Sequence, residues 1–114
     1  MLKKFFLFSF LILFNSEAAE SNYKAEIAHL LTYVKNTPCQ YIRNGGTHNG
    51  TEAAKHIQGK YDYYKDDIHT AEDFIRLSAT KSMMSGSKYY IQCPGSPKVE
   101  SAQWLLQELD RYRK

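Results

Sequence analysis

Long apolar segments are scarce in this sequence, and the longest lies near the amino terminus. It covers residues 5–14, ten positions, whereas a helix that crosses the hydrocarbon core of a bilayer needs about 20. Two lysines precede the run, and Ser16 and Ala18 follow it as small residues at the −3 and −1 positions of a cleavage site. This pattern disfavours a membrane anchor and predicts a secretory signal peptide over residues 1–18. We expect a single mature domain, residues 19–114, without an anchor.

The mature chain also lacks a marked excess of charge of either sign. Without Lys3, Lys4 and Glu17 it carries 13 basic and 11 acidic residues. A nucleic-acid-binding domain needs lysine and arginine concentrated on one face, so this balance argues against a nucleic-acid partner. A domain of this size buries a smaller share of its surface than a larger one does. A covalent cross-link would therefore contribute usefully to its stability.

Cysteine is rare as well, since Cys39 and Cys93 are the only two in the chain. In an oxidising compartment, an even number of cysteines usually indicates disulfide bonding. The two lie 54 positions apart, and closing a loop of that length stabilises a protein by roughly 4 kcal/mol in the chain-entropy model. The alternative, a reactive thiol acting with His48 or His56, would leave the second cysteine unexplained. We predict a Cys39–Cys93 disulfide.

The spacing of apolar residues predicts four helices. The first covers residues 22–36 and ends at the Thr-Pro dipeptide that follows, because the residue before a proline avoids helical dihedral angles. The second begins near Thr51. The third begins at Thr70, where Thr-Ala-Glu-Asp resembles a capping box, and the fourth at Ser96, with Pro97 in the first helical position.

Two short segments, residues 39–43 and 89–93, are rich in aromatic and β-branched residues and are bounded by turn-forming residues, which is typical of strands. If the two cysteines face each other, the segments form an antiparallel ribbon. The facing pairs are then Tyr41 with Ile91 and Arg43 with Tyr89. The sequence therefore predicts an α+β domain, mainly helical, with about four helices and a two-stranded antiparallel ribbon.

Polar side chains suited to binding are concentrated between the first strand and the second helix. The candidates are Arg43, Asn44, Gly45, His48, Glu52 and His56. The backbone N–H groups at the start of the helix attract anions, and a nearby arginine would strengthen that attraction. In the alternative interpretation, Asn-Gly is only a turn and Arg43 pairs with a carboxylate such as Glu72 or Asp73.

His48, Glu52 and His56 also recur at intervals of four residues. Imidazoles and a carboxylate on one helix face suit a zinc or copper site, or an acid–base pair. The alternative is that Glu52 interacts with the positive end of the helix while His56 is half-buried. We favour the alternative, because spacing alone does not establish that ligands converge. We therefore predict no metal and no cofactor.

Two motifs, Arg43-Asn-Gly and Thr70-Ala-Glu-x-Phe-Ile, together with His48, His56 and the Pro94-Gly pair, resemble a known family. This is the YfeK-like family of small exported bacterial proteins, a domain of unknown function. The resemblance extends over most of the mature chain. It implies a protein of the Gram-negative envelope and implies no activity.

These observations together predict a periplasmic or secreted protein that binds an envelope ligand or a partner protein and is not an enzyme. One alternative is a small metal-assisted hydrolase that uses His48, Glu52 and His56. Another is an envelope inhibitor or immunity protein, suggested by small size, export and a disulfide. No recognised set of nucleophile, base and orienting residue is present, which places binding ahead of catalysis.

Overall fold

The computed structural model describes residues 22–114, so the predicted signal peptide lies outside the described residues. This part of the chain contains four helices and four strands, and the predicted α+β class, mainly helical, is confirmed. The helices are α1 (22–35), α2 (Gly50–Tyr64), α3 (Ala71–Ser78) and α4 (Ser101–Arg113). The strands are β1 (Gln40–Arg43), β2 (Gly46–His48), β3 (Tyr90–Gln92) and β4 (Val99–Glu100). None of the helices in this range is long and apolar enough to cross a membrane.

The predicted ribbon is the centre of a four-stranded antiparallel sheet in the order β2-β1-β3-β4. Its register is as predicted, because Tyr41 faces Ile91 across β1 and β3. Both side chains are buried, at 2% and 0% exposure, so this face of the sheet packs on the core. Cys39 and Cys93 lie just beyond the paired residues with their Cα atoms 4.1 Å apart, and they form the predicted disulfide.

Strand β2 was not predicted, and it follows directly from the Asn-Gly turn. Asn44 and Gly45 have φ angles of 52° and 77°, the positive values that a two-residue hairpin turn requires at both central positions. Arg43 therefore pairs with Gly46 across the hairpin. The turn reverses the chain at once and leaves β2 as an edge strand.

Helix α2 begins against the carbonyl end of α1. A Cβ atom on Gly50 would lie only 2.4 Å from the backbone oxygen of Val34, so the contact requires glycine. Asn49 caps the helix, since its side chain accepts a hydrogen bond from the backbone N–H of Glu52, and the Glu52 carboxylate accepts one from the N–H of Asn49. This reciprocal capping box fixes the first turn of α2.

Helix α3 begins as predicted, with Thr70 as its cap. The Thr70 hydroxyl accepts a hydrogen bond from the N–H of Asp73, and the Asp73 carboxylate accepts one from the N–H of His69. Phe74 and Ile75 then point into the core at 1% and 2% exposure. These two residues, with Ala71 and Ser78, form the buried side of α3.

The predicted start of α4 at Ser96 and Pro97 is wrong. Ser96 closes a turn by donating its N–H to the carbonyl of Cys93, and Val99–Glu100 pair with β3 before the helix begins at Ser101. The backbone N–H groups of this segment find partners in the sheet, which outweighs the local Ser-Pro preference. Ser101 then buries its hydroxyl in a hydrogen bond with Tyr41.

Candidate functional site

A groove with a volume of about 490 Å³ opens between the end of β1, one face of α2 and the segment that leads into β3. Four basic side chains line it: Arg43, Lys55, His56 and Lys60. No aspartate or glutamate is among the described residues of its wall. We call this site the basic groove.

Helical periodicity explains why three of the four basic residues line the same groove. Lys55, His56 and Lys60 lie within one and a half turns of α2 and share one side, while Ala53 and Ile57 face the core at 3% and 1% exposure. Gly59 lies between the basic residues, where an added Cβ would have no neighbour within 4 Å. The middle of the groove therefore has open space above the helix backbone.

The phenol of Tyr89 holds two of the basic residues in place. Its hydroxyl lies 3.2 Å from Nε2 of His56 and accepts a hydrogen bond from Nζ of Lys60 at 3.3 Å. Nζ of Lys60 also donates to the backbone carbonyl of Lys81 at 2.7 Å and lies 5.0 Å from the centre of the Tyr89 ring. Because an ammonium group has three hydrogens, Lys60 keeps one for a ligand.

Arg43 is half-buried at the end of β1 and has no salt bridge to any residue between 22 and 114. The carboxylates considered as its partners pair elsewhere. Glu72 binds Arg113 at 2.7 Å, and Asp73 binds Arg76 at 3.2 Å. The interpretation in which Arg43 only neutralises one of these two carboxylates is therefore wrong.

The pKa values of two basic residues in the groove are lowered by burial and by neighbouring positive charges. Burial lowers the pKa of His56 below its ordinary value, and the charges of Arg43, Lys60 and His48 lower it further. Burial and Arg43 also lower the pKa of Lys60. A bound anion would relieve both repulsions, so the electrostatics of the groove favour one.

The residues proposed from the sequence are divided between this groove and its surroundings. Arg43, Asn44 and His56 line it. Glu52 lies one helical turn away, with its carboxylate in the capping box. Gly45 belongs to the hairpin turn, and His48 lies on the edge strand β2, close enough for its charge to influence His56.

A metal centre has no matching geometry in the described part of the chain. Between residues 22 and 114, no group of three or more histidine, cysteine, aspartate or glutamate side chains is placed to hold a metal ion. At the start of α2, the N–H of Glu52 bonds to Asn49, and the Glu52 carboxylate bonds to the N–H of Asn49, which places negative charge beside the cap.

Lys60 and Tyr89 were missing from the site proposed from the sequence, although signals for both were present. The register predicted from the two cysteines places Tyr89 opposite Arg43, and Lys60 follows His56 by four positions on a helix. Neither residue belongs to a chemical motif, so the signal for them lay in the combination of the two periodicities.

Comparisons with known proteins define the family of the chain and nothing about its chemistry. A family model described as "Family of unknown function (DUF5329)" matches residues 21–113. The curated "Uncharacterized protein YfeK" of Salmonella typhimurium is 39% identical over 49 residues, which cover 43% of this chain and 41% of that protein. The match thus spans about two fifths of the length of that relative. No solved structure matches.

Proposed function

The chain belongs to the DUF5329 family, and we propose that it is an exported, non-enzymatic protein that binds an anionic ligand in the basic groove. The ligand carries a phosphate, sulfate or carboxylate group that reaches Arg43, His56 and Lys60. Export is supported by the signal-peptide pattern and by the Cys39–Cys93 disulfide, which suits an oxidising compartment.

One observation carries the proposal: the positive charges of the groove have no carboxylate partner among its described lining residues. Removing cations from water and placing them side by side is unfavourable, and proteins usually offset it with acidic neighbours. In this groove the Tyr89 hydroxyl and the Lys81 carbonyl accept hydrogen bonds from Lys60 but supply no negative charge. An anionic ligand would complete the site.

The glycine at the centre of α2 supports the same proposal. Glycine in a helix interior costs about 1 kcal/mol relative to alanine. Packing does not require it at Gly59, because a Cβ there would meet nothing within 4 Å. The glycine instead keeps the middle of the groove open for a ligand.

Binding is favoured over catalysis by the partners of the two basic nitrogens in the groove. A nucleophilic enzyme needs a base within hydrogen-bond distance of a hydroxyl or thiol nucleophile. His56 and Lys60 both contact the hydroxyl of Tyr89, but burial raises the pKa of that phenol and so disfavours the phenolate that would act as a nucleophile. The one serine of the groove wall, Ser82, accepts a hydrogen bond from the backbone N–H of Ser85 and has no contact with either basic nitrogen. This arrangement positions charges and activates no nucleophile.

The proposal is tested by titrating the ¹⁵N-labelled mature protein with inorganic phosphate and following the amide resonances. We expect shifts concentrated at the ends of β1, along α2 and around Tyr89. Arg43→Gln and Lys60→Gln should each weaken binding about fivefold or more, because each removes a charge-assisted hydrogen bond. Lys24→Gln, an exposed lysine on α1 far along the chain from the groove residues, is the matched control and should bind as the parent does.

Two results would contradict the proposal. One is a titration in which the groove resonances do not move at any phosphate concentration that leaves the protein folded. The other is equal weakening by Lys24→Gln and Lys60→Gln, which would indicate screening of net charge and not a site.

A further inference from the structure

Three large apolar side chains are exposed at the rim of the basic groove. Met84 is 100% exposed, Tyr63 is 81% exposed and Met83 is 58% exposed, and all three line the groove. Tyr63 comes from α2, whereas the methionines lie on residues 81–88, which we call the methionine loop. Exposed apolar side chains that cluster beside a charged site indicate an interaction surface, whereas scattered ones need no explanation.

Hydrogen bonds hold the methionine loop in its outward position. The backbone N–H of Ser82 donates to the carbonyl of Ser87, and the N–H of Gly86 donates to the carbonyl of Ser82, both at 2.9 Å. The Ser85 hydroxyl donates to the side chain of Asn44 at 2.8 Å, which ties the loop to the β1–β2 turn. The thioethers are thus displayed by a closed loop and are not exposed by a loose chain end.

Basic residues lie at both ends of the methionine loop and in the groove beside it. Lys81 and Lys88 face each other at the base of the methionine loop, and Lys88 is paired with Glu100. The cations of the basic groove, among them Lys55 and Lys60, lie on the inner side of the same rim. The surface therefore combines an apolar tip with a cationic pocket directly behind it.

We propose that this surface docks on a membrane through anionic phospholipid. The basic groove binds the headgroup phosphate, and Met83 and Met84 enter the interfacial layer of the bilayer. Apolar side chains and lysines act together in this way on surfaces that lie at a membrane interface without crossing it. Each lysine or arginine near an anionic surface strengthens association by roughly fivefold. The inference rests on the proposed anion site and adds the source of the anion.

The apolar rim is the reason to choose a lipid over a free anion. A free phosphate or carboxylate would be bound by Arg43, His56 and Lys60 alone and would gain nothing from a fully exposed thioether. A lipid headgroup carries the same phosphate and also brings an apolar layer to the height of the rim. Tyr63, with a polar hydroxyl on an apolar ring, is a side-chain type that favours the same depth.

The test is co-sedimentation of the disulfide-bonded mature protein with vesicles. We expect binding to vesicles of phosphatidylglycerol and phosphatidylcholine, little binding to pure phosphatidylcholine, and release when the salt concentration is raised to about 0.5 M. Met84→Ser should weaken binding about tenfold, because it removes the most exposed thioether. Lys60→Gln should weaken it about fivefold. Leu106→Ser, an exposed leucine of α4 that is 44% accessible, should change nothing.

Three other results would contradict docking on anionic phospholipid. Binding of inorganic phosphate at the groove without binding to anionic vesicles would overturn this inference and leave the anion site standing. If Met83→Ser and Met84→Ser bind vesicles as tightly as the parent does, charge alone holds the protein on the membrane. That result would overturn the proposed insertion of the methionines. Failure with both phosphate and vesicles would overturn the inference and the proposed function together.

Discussion

Gly50 and Gly59 lie nine positions apart in α2 and have opposite reasons to be glycine. At Gly50 a Cβ would be 2.4 Å from the Val34 carbonyl oxygen, a backbone atom that cannot move aside, whereas at Gly59 it would meet nothing within 4 Å. We predict that Gly59→Ala raises the free energy of unfolding by about 1 kcal/mol through helix propensity. Gly50→Ala should lower it by about 2 kcal/mol through overpacking.

Urea denaturation of the two variants measures both effects in the same helix. If Gly59→Ala weakens phosphate binding and Gly59→Gln abolishes it, the glycine serves to keep the groove open. A loss of stability in Gly59→Ala would mean that the backbone there is under a constraint that the structure does not contain.

His56 gives the binding of anions a specific dependence on pH. Its pKa lies below the ordinary value because of burial and because of the positive charges of Arg43 on β1, Lys60 on α2 and His48 on β2. A bound anion offsets these charges and raises that pKa, so binding takes up a proton. Affinity should therefore increase as the pH falls through the raised pKa and level off below the pKa of the free protein.

Sulfate is the probe for this prediction, because its own charge is constant over the range. We expect it to bind several-fold more tightly at about pH 5.5 than at about pH 7.5. In His56→Gln the difference should disappear, while the affinity near neutral pH changes little. A dependence on pH that persists in His56→Gln would assign the proton to another group.

At the scale of secondary structure, the sequence predicted those elements whose signals are local. Thr70 begins α3 because its hydroxyl and the Asp73 carboxylate satisfy backbone donors within four residues. The β1–β3 register followed from two cysteines and a period of two. Local sequence rules therefore predict a segment's structure correctly when its hydrogen-bond partners lie within the segment, or when a disulfide fixes its neighbour.

The two short outer strands were missed, although each pairs with a nearby segment of the chain. Ser96 and Pro97 have the signature of a helix start, yet the residues after them pair with β3 and the helix begins at Ser101. Strand β2 is only three residues long and is an edge strand, too short for an alternating pattern to show. The candidate site was likewise predicted in part. Arg43 and His56, which lie close together in the sequence, were predicted, whereas Tyr89, which is distant in the sequence, was missed.

Helices α1 and α4 are joined by a buried carboxylate. Glu108 is 5% exposed, its carboxylate accepts hydrogen bonds from Arg111, and its Oε2 lies 2.6 Å from Nε2 of His29 on α1. The Arg111 guanidinium above all, and also His29, hold the pKa of Glu108 below its usual value. The stabilisation is therefore present above the ordinary carboxyl pKa and is lost as the pH falls below it.

We predict that Glu108→Gln lowers the free energy of unfolding by about 2 kcal/mol near neutral pH, since it replaces charge-assisted hydrogen bonds with neutral ones. Its stability should also fall less than that of the parent between about pH 5 and about pH 3. Urea titrations near neutral pH and at the two ends of that range measure both effects. Asp110→Asn on the exposed side of α4 is the control, and an equal loss in both variants would assign the effect to net charge.

On the scale of the whole molecule, the disulfide connects the first half of the sheet to the second. Strands β1 and β3 are separated by α2 and α3 in the chain, and the Cys39–Cys93 bond closes that loop of 54 residues at the end of their ladder. Without the bond, the unfolded chain regains the freedom of the loop while the folded sheet keeps its hydrogen bonds. The cost of removal therefore arises mainly in the unfolded state.

We predict that the double variant Cys39→Ser, Cys93→Ser is about 4 kcal/mol less stable than the oxidised parent. For a domain of this size such a loss is a large part of the total free energy of unfolding, so the variant should be partly unfolded at about 37 °C. Parent protein treated with a reductant should match the variant, because neither contains the bond. Calorimetry of the oxidised parent, the reduced parent and the double variant measures these differences in stability. A variant within about 1 kcal/mol of the parent would mean that packing of the buried Tyr41 and Ile91 side chains alone holds the strands together.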